Sequence, residues 1–270
     1  MQKPLLQDDA FLADVAAARA EQNSLHIWWL GQSGFLLQWR GRHLLFDPYL
    51  SDSLTTKYAN TDKPHVRMTE RVIAPQKLNF IDVVTSTHNH TDHLDADTLR
   101  PILLANPKTR LVIPEANRAF VAERLKMDAE FPVGLAIGEA KALSDMNFTA
   151  LPAAHETLSP TCVGYVVRLG PWTVYHSGDT VFYDGMIERL LPHRIDIAML
   201  PINGKLGNMR GIEAAGLAKA IGAKIVIPCH FDMFDFNTAS PDPFLVECRR
   251  IGQRCEVLKN GERLTLPAQT

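Results

Sequence analysis

The four cysteines of this 270-residue chain, Cys162, Cys229, Cys248 and Cys255, form no Cys-x-x-Cys pair. That scatter excludes the framework of a small disulfide-stapled domain and also a zinc knuckle. It predicts reduced thiols, mostly buried, as in a cytosolic protein. No apolar run approaches the roughly 20 residues needed to span a bilayer. Residues 1–23 carry early acids and no apolar stretch ahead of a small-residue cleavage site, so the expected location is the cytoplasm, with no membrane partner. A basic surplus is also missing: 28 Lys+Arg stand against 30 Asp+Glu, for a formal charge of −2. That balance argues against a nucleic-acid partner. No internal repeat, low-complexity tract or linker stands out.

What is present is 46% hydrophobic residues in a chain long enough for one large domain or two small ones. Residues 8–22 read as a helix, with Phe11, Leu12 and Val15 on one side, packed on the outside of the domain. Three short strands follow at 25–30, 35–39 and 43–46, broken by the glycine-containing turns at 31–34 and 40–42. Asp47-Pro48 ends the third. The polar stretch 51–76 has few periodic signals and is long for a loop, which predicts a functional or partly structured segment. Strands and helices then alternate: strand 81–86, helix 95–105, strand 110–113, helix 115–126, and strands at 148–151, 163–169 and 172–175. Helix 184–191, strand 195–200, helix 212–221, strand 224–228 and helix 244–252 precede an expected terminal hairpin of 256–258 with 263–266. Hairpins in front and strand–helix units behind predict a layered α/β domain, strands inside and helices outside.

The strongest chemical signal is His88-Asn89-His90-Thr91-Asp92-His93, directly after the strand 81–86. Four metal-ligand side chains in six residues, at the end of a buried strand, make a compact cradle. Residues two apart in an extended segment share a face, so His88 and His90 can serve one metal, while Asp92 and His93 reach a second. Leu94-Asp95-Ala96-Asp97-Thr98 reads as a helix cap that anchors the cradle. A His-rich surface loop is the bland alternative.

This run resembles the signature of the metallo-β-lactamase superfamily, and further segments match in order. His155 closes a strand, like that family's next ligand. Tyr175-His176-Ser177-Gly178-Asp179-Thr180 resembles its Gly-Asp-Thr turn, and His230 ends a late buried strand. The resemblance runs from about residue 25 to 266. It implies a four-layer αββα fold of two mixed β-sheets between helices, formed by residues 25–270, with residues 1–24 as a helical extension. It also implies that His88, His90 and His155 hold one divalent metal, that Asp92, His93 and His230 hold another, and that Asp179 bridges them. Imidazole and carboxylate without thiolate suit zinc or manganese, with iron also open. Such metals lower the pKa of water to about 7 and stabilise the charge that develops on a carbonyl or phosphoryl oxygen.

Within the superfamily, Ile27-Trp28-Trp29-Leu30-Gly31, Asn208-x-Arg210-Gly211-Ile212 and Ala223-Lys224-Ile225-Val226-Ile227-Pro228 look like the L-ascorbate 6-phosphate lactonase-like branch. That likeness implies a small-molecule substrate, a sugar-derived lactone or related ester, with Asp92 orienting the nucleophile. The chain is shorter than those lactonases and has His155 where they carry an acid. Asn208 and Arg210, between a strand end and a helix start, are the expected substrate contacts. His65 in the polar stretch is a further candidate. His176 is expected to support the site by hydrogen bonding, and Trp28-Trp29 to pack in the core. A phosphodiesterase with the same two-metal site is the alternative function, a non-catalytic metal-binding protein a weaker one. A homo-oligomer stays open.

Overall fold

The computed structural model describes residues 1–268; the last two residues of the expected 25–270 domain lie outside the described residues. Strands β1 (Ser24–Gly31), β2 (Gly34–Trp39) and β3 (Arg42–Phe46) form an antiparallel meander. Strands β4 (Val83–Thr85), β5 (Arg110–Pro114) and β6 (Val133–Leu135) continue it in parallel. The other sheet has a long hairpin, β8 (Met146–His155) with β9 (Thr157–Leu169), edged by β7 (Ala140–Leu143). On its far side β10 (Trp172–His176), β11 (Ile197–Pro201) and β12 (Ile225–Cys229) lie parallel.

Period-2 alternation decides the layers. Leu25, Ile27 and Trp29 of β1 join the cluster shared with the second sheet. Trp28 and Leu30 face the other way, with Phe11 and Val15 of α1 (Asp8–Ala18), Leu99 and Ile102 of α3 (Ala96–Ala105), and Val121 and Leu125 of α4 (Arg118–Leu125). On the second sheet, α5 (Met186–Leu190), α6 (Gly211–Ala220) and α7 (Asp242–Ile251) bury Met186, Ala214, Leu217, Phe244 and Cys248 in the first cluster. The expected αββα layering is what the chain adopts. Both Trp28 and Trp29 are core, and the four cysteines are free. Among the described residues no helix is long and apolar enough to cross a membrane.

The expected terminal hairpin does not form. β13 (Arg263–Pro267) pairs antiparallel with β1, Leu266 opposite Leu25 and Leu264 opposite Ile27. Residues 256–258 form no strand; the preceding Cys255 makes a lone bridge to Val226 at the edge of β12. The free edge of β1 offers a full ladder of unpaired N–H and C=O groups, more than a three-residue partner can satisfy. The stretch 51–76 holds a short helix, α2 (Ser53–Tyr58), and a 3-10 turn at Pro75–Lys77. Strands β6 and β7 were not expected, and β8 and β9 run longer than the apolar segments that announced them.

Candidate metal centre

Every expected ligand sits at a strand end on one rim of the sandwich. The loop from Ser86 to His93 leaves β4, His155 ends β8, Asp179 follows β10, and His230 follows β12. Donor atoms of His88, His90 and His155 form one cluster; those of Asp92, His93, Asp179 and His230 form a second. Within each, all donors lie within 4.8 Å of one another. Asp179 stands between them: Oδ1 is 3.2 Å from His93 Nε2, and Oδ2 is 3.2 Å from His230 Nε2 and 3.7 Å from His155 Nε2. The structure therefore brings together all seven residues singled out as ligands.

These atoms converge without satisfying each other. His88 Nε2, His93 Nε2 and Asp179 Oδ1 are buried and have no hydrogen-bond partner. A buried polar atom left unpaired costs about 1–3 kcal/mol, and three pointing into one space are what divalent cations would relieve. The donor set fits zinc, manganese or iron. The charges agree. Burial would favour neutral rings, yet the carboxylates of Asp179, Asp92 and Asp47 hold His93 well above the ordinary imidazole range. His230, likewise against burial, is pushed up to about 9 by Asp179 and Asp92. His88 and His90 are lowered, first by burial, although Asp179 and Asp92 pull the other way.

The scaffold of this rim was only partly legible. Asp47, read from sequence as no more than a strand end, is fully buried and accepts from His93 Nδ1 at 2.8 Å, leaving Nε2 to face the cluster. A carboxylate behind an imidazole fixes the tautomer and ring direction of a metal ligand. Asp47 also accepts from Thr85 Oγ1 at 2.7 Å, from Thr87 N at 3.1 Å and from Thr87 Oγ1. Burial alone would raise its pKa, but the His93 hydrogen bond and the nearby imidazoles outweigh it and bring the pKa to about 2. Asp47 and His230 have left-handed backbones, φ 35° and 64°; non-glycine residues hold such angles where the surroundings over-determine them. Gly178, at φ +60°, lets the Asp179 turn pass Thr87, whose Oγ1 would lie 2.6 Å from an added Cβ. Asp95 caps α3 and binds Ser51, Ser53 and Thr98, and Arg124 Nη1 donates to Asn89 O at 2.7 Å, so the cradle loop is held from both sides.

His176 supports the centre as expected, its ring stacked on Phe46. Nε2 donates to Ser33 O at 2.8 Å and Nδ1 accepts from Gly178 N at 3.3 Å. Asn208 and Arg210 do different work from that expected. Asn208 is buried, its Oδ1 accepting from Thr180 N at 2.9 Å, so it carries the turn that presents Asp179. Arg210 pairs with Glu213 at the start of α6. Neither lines the cavity above the cluster; the strand-to-helix loop reaches it through Leu206.

That cavity, about 310 Å³, opens over His90, Asp92, His155 and Asp179. Its wall takes Lys57, Tyr58, Lys63 and His65 from the polar stretch, together with Arg124, Phe236 and Asn237. His65 stacks on Tyr58, ring centroids 4.5 Å apart. Arg67 holds this segment in place: it is buried, bonds Asp52 and Met233, and bridges antiparallel to Phe234, just beyond His230.

Fold and site together define an αββα protein with a two-part cluster of histidines and aspartates at one rim. Residues 42–231 match the family model of the beta-lactamase superfamily domain, and the chain belongs to that family. It is 30% identical over 250 residues to a UPF0173 metal-dependent hydrolase of Methanosarcina mazei, covering 90% of this chain and 99% of that one. A protein of the same description from Caldivirga maquilingensis is 29% identical over 248 residues, 90% of this chain and 98% of the relative. Among solved structures, the metallo hydrolase Igni18 of Ignicoccus hospitalis superposes with a TM-score of 0.68 at 23% identity. That match covers 90% of this chain and 98% of the other, a likeness of fold.

Proposed function

We propose that the chain is a metal-dependent hydrolase that uses two divalent cations, zinc or manganese with iron also open, to cleave a small anionic lactone or related ester. The observation that carries this reading is the convergence of seven donors, three of their atoms buried and unpaired, at the floor of an open cavity. The names of the Methanosarcina and Caldivirga relatives agree with the hydrolase class. The lactone rests on the resemblance to the L-ascorbate 6-phosphate lactonase-like branch. Negative charge on the substrate is supported by Lys57, Lys63 and Arg124 in the wall, where Glu156 is the one acid outside the ligand set.

Divalent cations in such a cradle supply a water made acidic and an electrostatic sink for the oxygen under attack. The protein's own groups do the rest. Asp92 reaches the cavity from the second donor set. Its carboxylate accepts a hydrogen bond from the attacking water and passes the proton to the leaving oxygen. A carbon–oxygen bond forms to the water oxygen, and the ring or ester carbon–oxygen bond breaks. Lys57 and Lys63 hold the anionic end, and Tyr58, Leu206 and Phe236 cover the hydrocarbon.

The test is proton release from a panel of neutral and phosphorylated lactones and a phosphodiester, with zinc- and manganese-loaded protein and a His88→Ala control. Saturable release from lactones by the wild type alone supports the reading. A Lys57→Glu, Lys63→Glu variant then raises KM for the charged lactones only. Release confined to the phosphodiester replaces lactone opening with phosphodiester hydrolysis.

A further inference from the structure

Gln32 lies in the β1–β2 turn with φ 49°, in the left-handed region, and is fully buried. Such a turn position ordinarily takes glycine or asparagine. Glutamine gains nothing there from its backbone, which turns attention to the side chain. Nε2 donates to Asp92 Oδ2 at 2.8 Å and lies 2.9 Å from His230 Nε2, so the carboxamide is inserted between two donors of the second set. Oε1 is buried and has no partner. The turn is tied to the same region through its backbone: Gln32 O accepts from His230 N and from Trp29 Nε1, both at 3.0 Å.

This arrangement cannot persist beside a bound cation. An imidazole nitrogen that ligates a metal has no lone pair left for an N–H, and an amide hydrogen facing a dication is repelled. The terminal torsion of glutamine is broad and roughly two-fold, so a half-turn exchanges nitrogen and oxygen at small cost. That half-turn would bring the unpaired oxygen to the cation. We propose that Gln32 is a neutral oxygen ligand of the cation held by Asp92, His93, Asp179 and His230. This rests on the two-cation reading above. The two positions then differ in kind: three imidazoles and the shared Asp179 at one, and at the other two imidazoles, Asp92, the shared Asp179 and a carboxamide. Oxygen-rich sites suit manganese better than imidazole-rich ones do, so the second position prefers manganese relative to the first.

The experiment is stepwise calorimetric titration of the metal-free full chain with Mn(II), paired with the visible absorption of the Co(II)-loaded form. It uses wild type, Gln32→Leu and Gln32→Glu, with melting curves to confirm folding. Wild type is expected to bind two cations. Gln32→Leu should bind one as before and the other about tenfold or more weakly, the scale of losing one support of a metal site. Its Co(II) bands should intensify as the coordination number falls. Gln32→Glu, which keeps an oxygen donor, should restore the affinity. Unchanged affinities and spectra in Gln32→Leu overturn the proposal. So does loss in Gln32→Leu that Gln32→Glu does not repair, because the amide then serves only as a hydrogen-bond donor to Asp92. A wild type that binds a single cation overturns the two-cation reading, and the role of Gln32 with it, and this shows before any variant is compared.

Discussion

The two donor sets share one rim but are built differently. His88, His90 and His155 range from buried to exposed, and among the described residues the one side-chain partner within hydrogen-bond reach of these three rings is Thr87 Oγ1, 3.2 Å from His88 Nδ1. In the second set, three of four residues are buried. Asp47 holds His93, Gln32 touches Asp92 and His230, and His176 with Asn208 braces the turn of Asp179. A side chain already locked by packing loses little rotamer freedom when it binds, whereas His90 must be ordered at that moment. On the two-cation reading proposed above, the second position would hold the tighter and slower-exchanging cation, and the first would be the more adjustable.

The severest test is Asp179→Ala, which removes the carboxylate that reaches both sets. Turnover should fall about a thousandfold or more, the scale of deleting a principal electrostatic element of a catalytic site. Metal analysis should find no more than one cation per chain. Two retained cations would end the assignment of Asp179 as the shared ligand.

Asp47→Asn separates the sets. Removing one member of a buried charged pair costs about 3 kcal/mol or more, and His93 loses the group that fixes its tautomer. Cation affinity at the second set should drop about 10–100-fold, with the first little changed. Equal weakening of both in a two-step titration would break the comparison.

Chelation sharpens it by degrees. A cation at a hundred times its Kd adds about 2.7 kcal/mol of stability, so full stripping with a strong chelator should lower Tm by about 5–10 °C. A weak chelator that takes only the first-set cation should abolish activity and leave Tm nearly unchanged. A Tm loss that tracks the first cation would reverse the order of the two positions.

How much of this was legible depended on distance along the chain. Four donors in six residues at His88–His93 declare themselves locally, whereas His155, Asp179 and His230, each weak alone, were reached only through the family resemblance that sets them in order. Asp47 and Gln32 carry no such mark: a strand-ending aspartate and a turn glutamine become supports only when loops some 40 to 200 positions apart meet. The same holds for β13, whose partner is at the other end of the chain, while β7, Ala-Lys-Ala-Leu, is short and mostly exposed and gives no alternation to read. At Asn208 the local signal, a polar group before a helix, was real; burial turned it from substrate contact to backbone support. The cationic cavity wall was hidden in the polar stretch, whose position Arg67 secures through a contact 166 residues away.

Asp82 gives the outer yardstick for Asp47. It lies where β3 and β4 meet, away from the centre, accepting from His43 N at 2.8 Å and from Arg42 Nη1 at 3.2 Å. Burial alone would raise its pKa, but His43, through ring and backbone, and then Arg42 outweigh it, and the net shift is downward. A carboxylate with a depressed folded pKa contributes stability that is present above the unfolded value, about 3.9. That stability is lost as pH falls through the folded pKa. Asp82 is partly exposed and Arg42 about half exposed, so solvent screening limits the contribution to about 0.5–1 kcal/mol. In urea titrations Asp82→Asn should be less stable than wild type by that amount at pH 7, the gap closing below about pH 4. Cation affinity should be unchanged throughout. If Asp82→Asn weakened metal binding as Asp47→Asn does, the support of the second set would extend down the strands, and the rim would not be the unit that organises it.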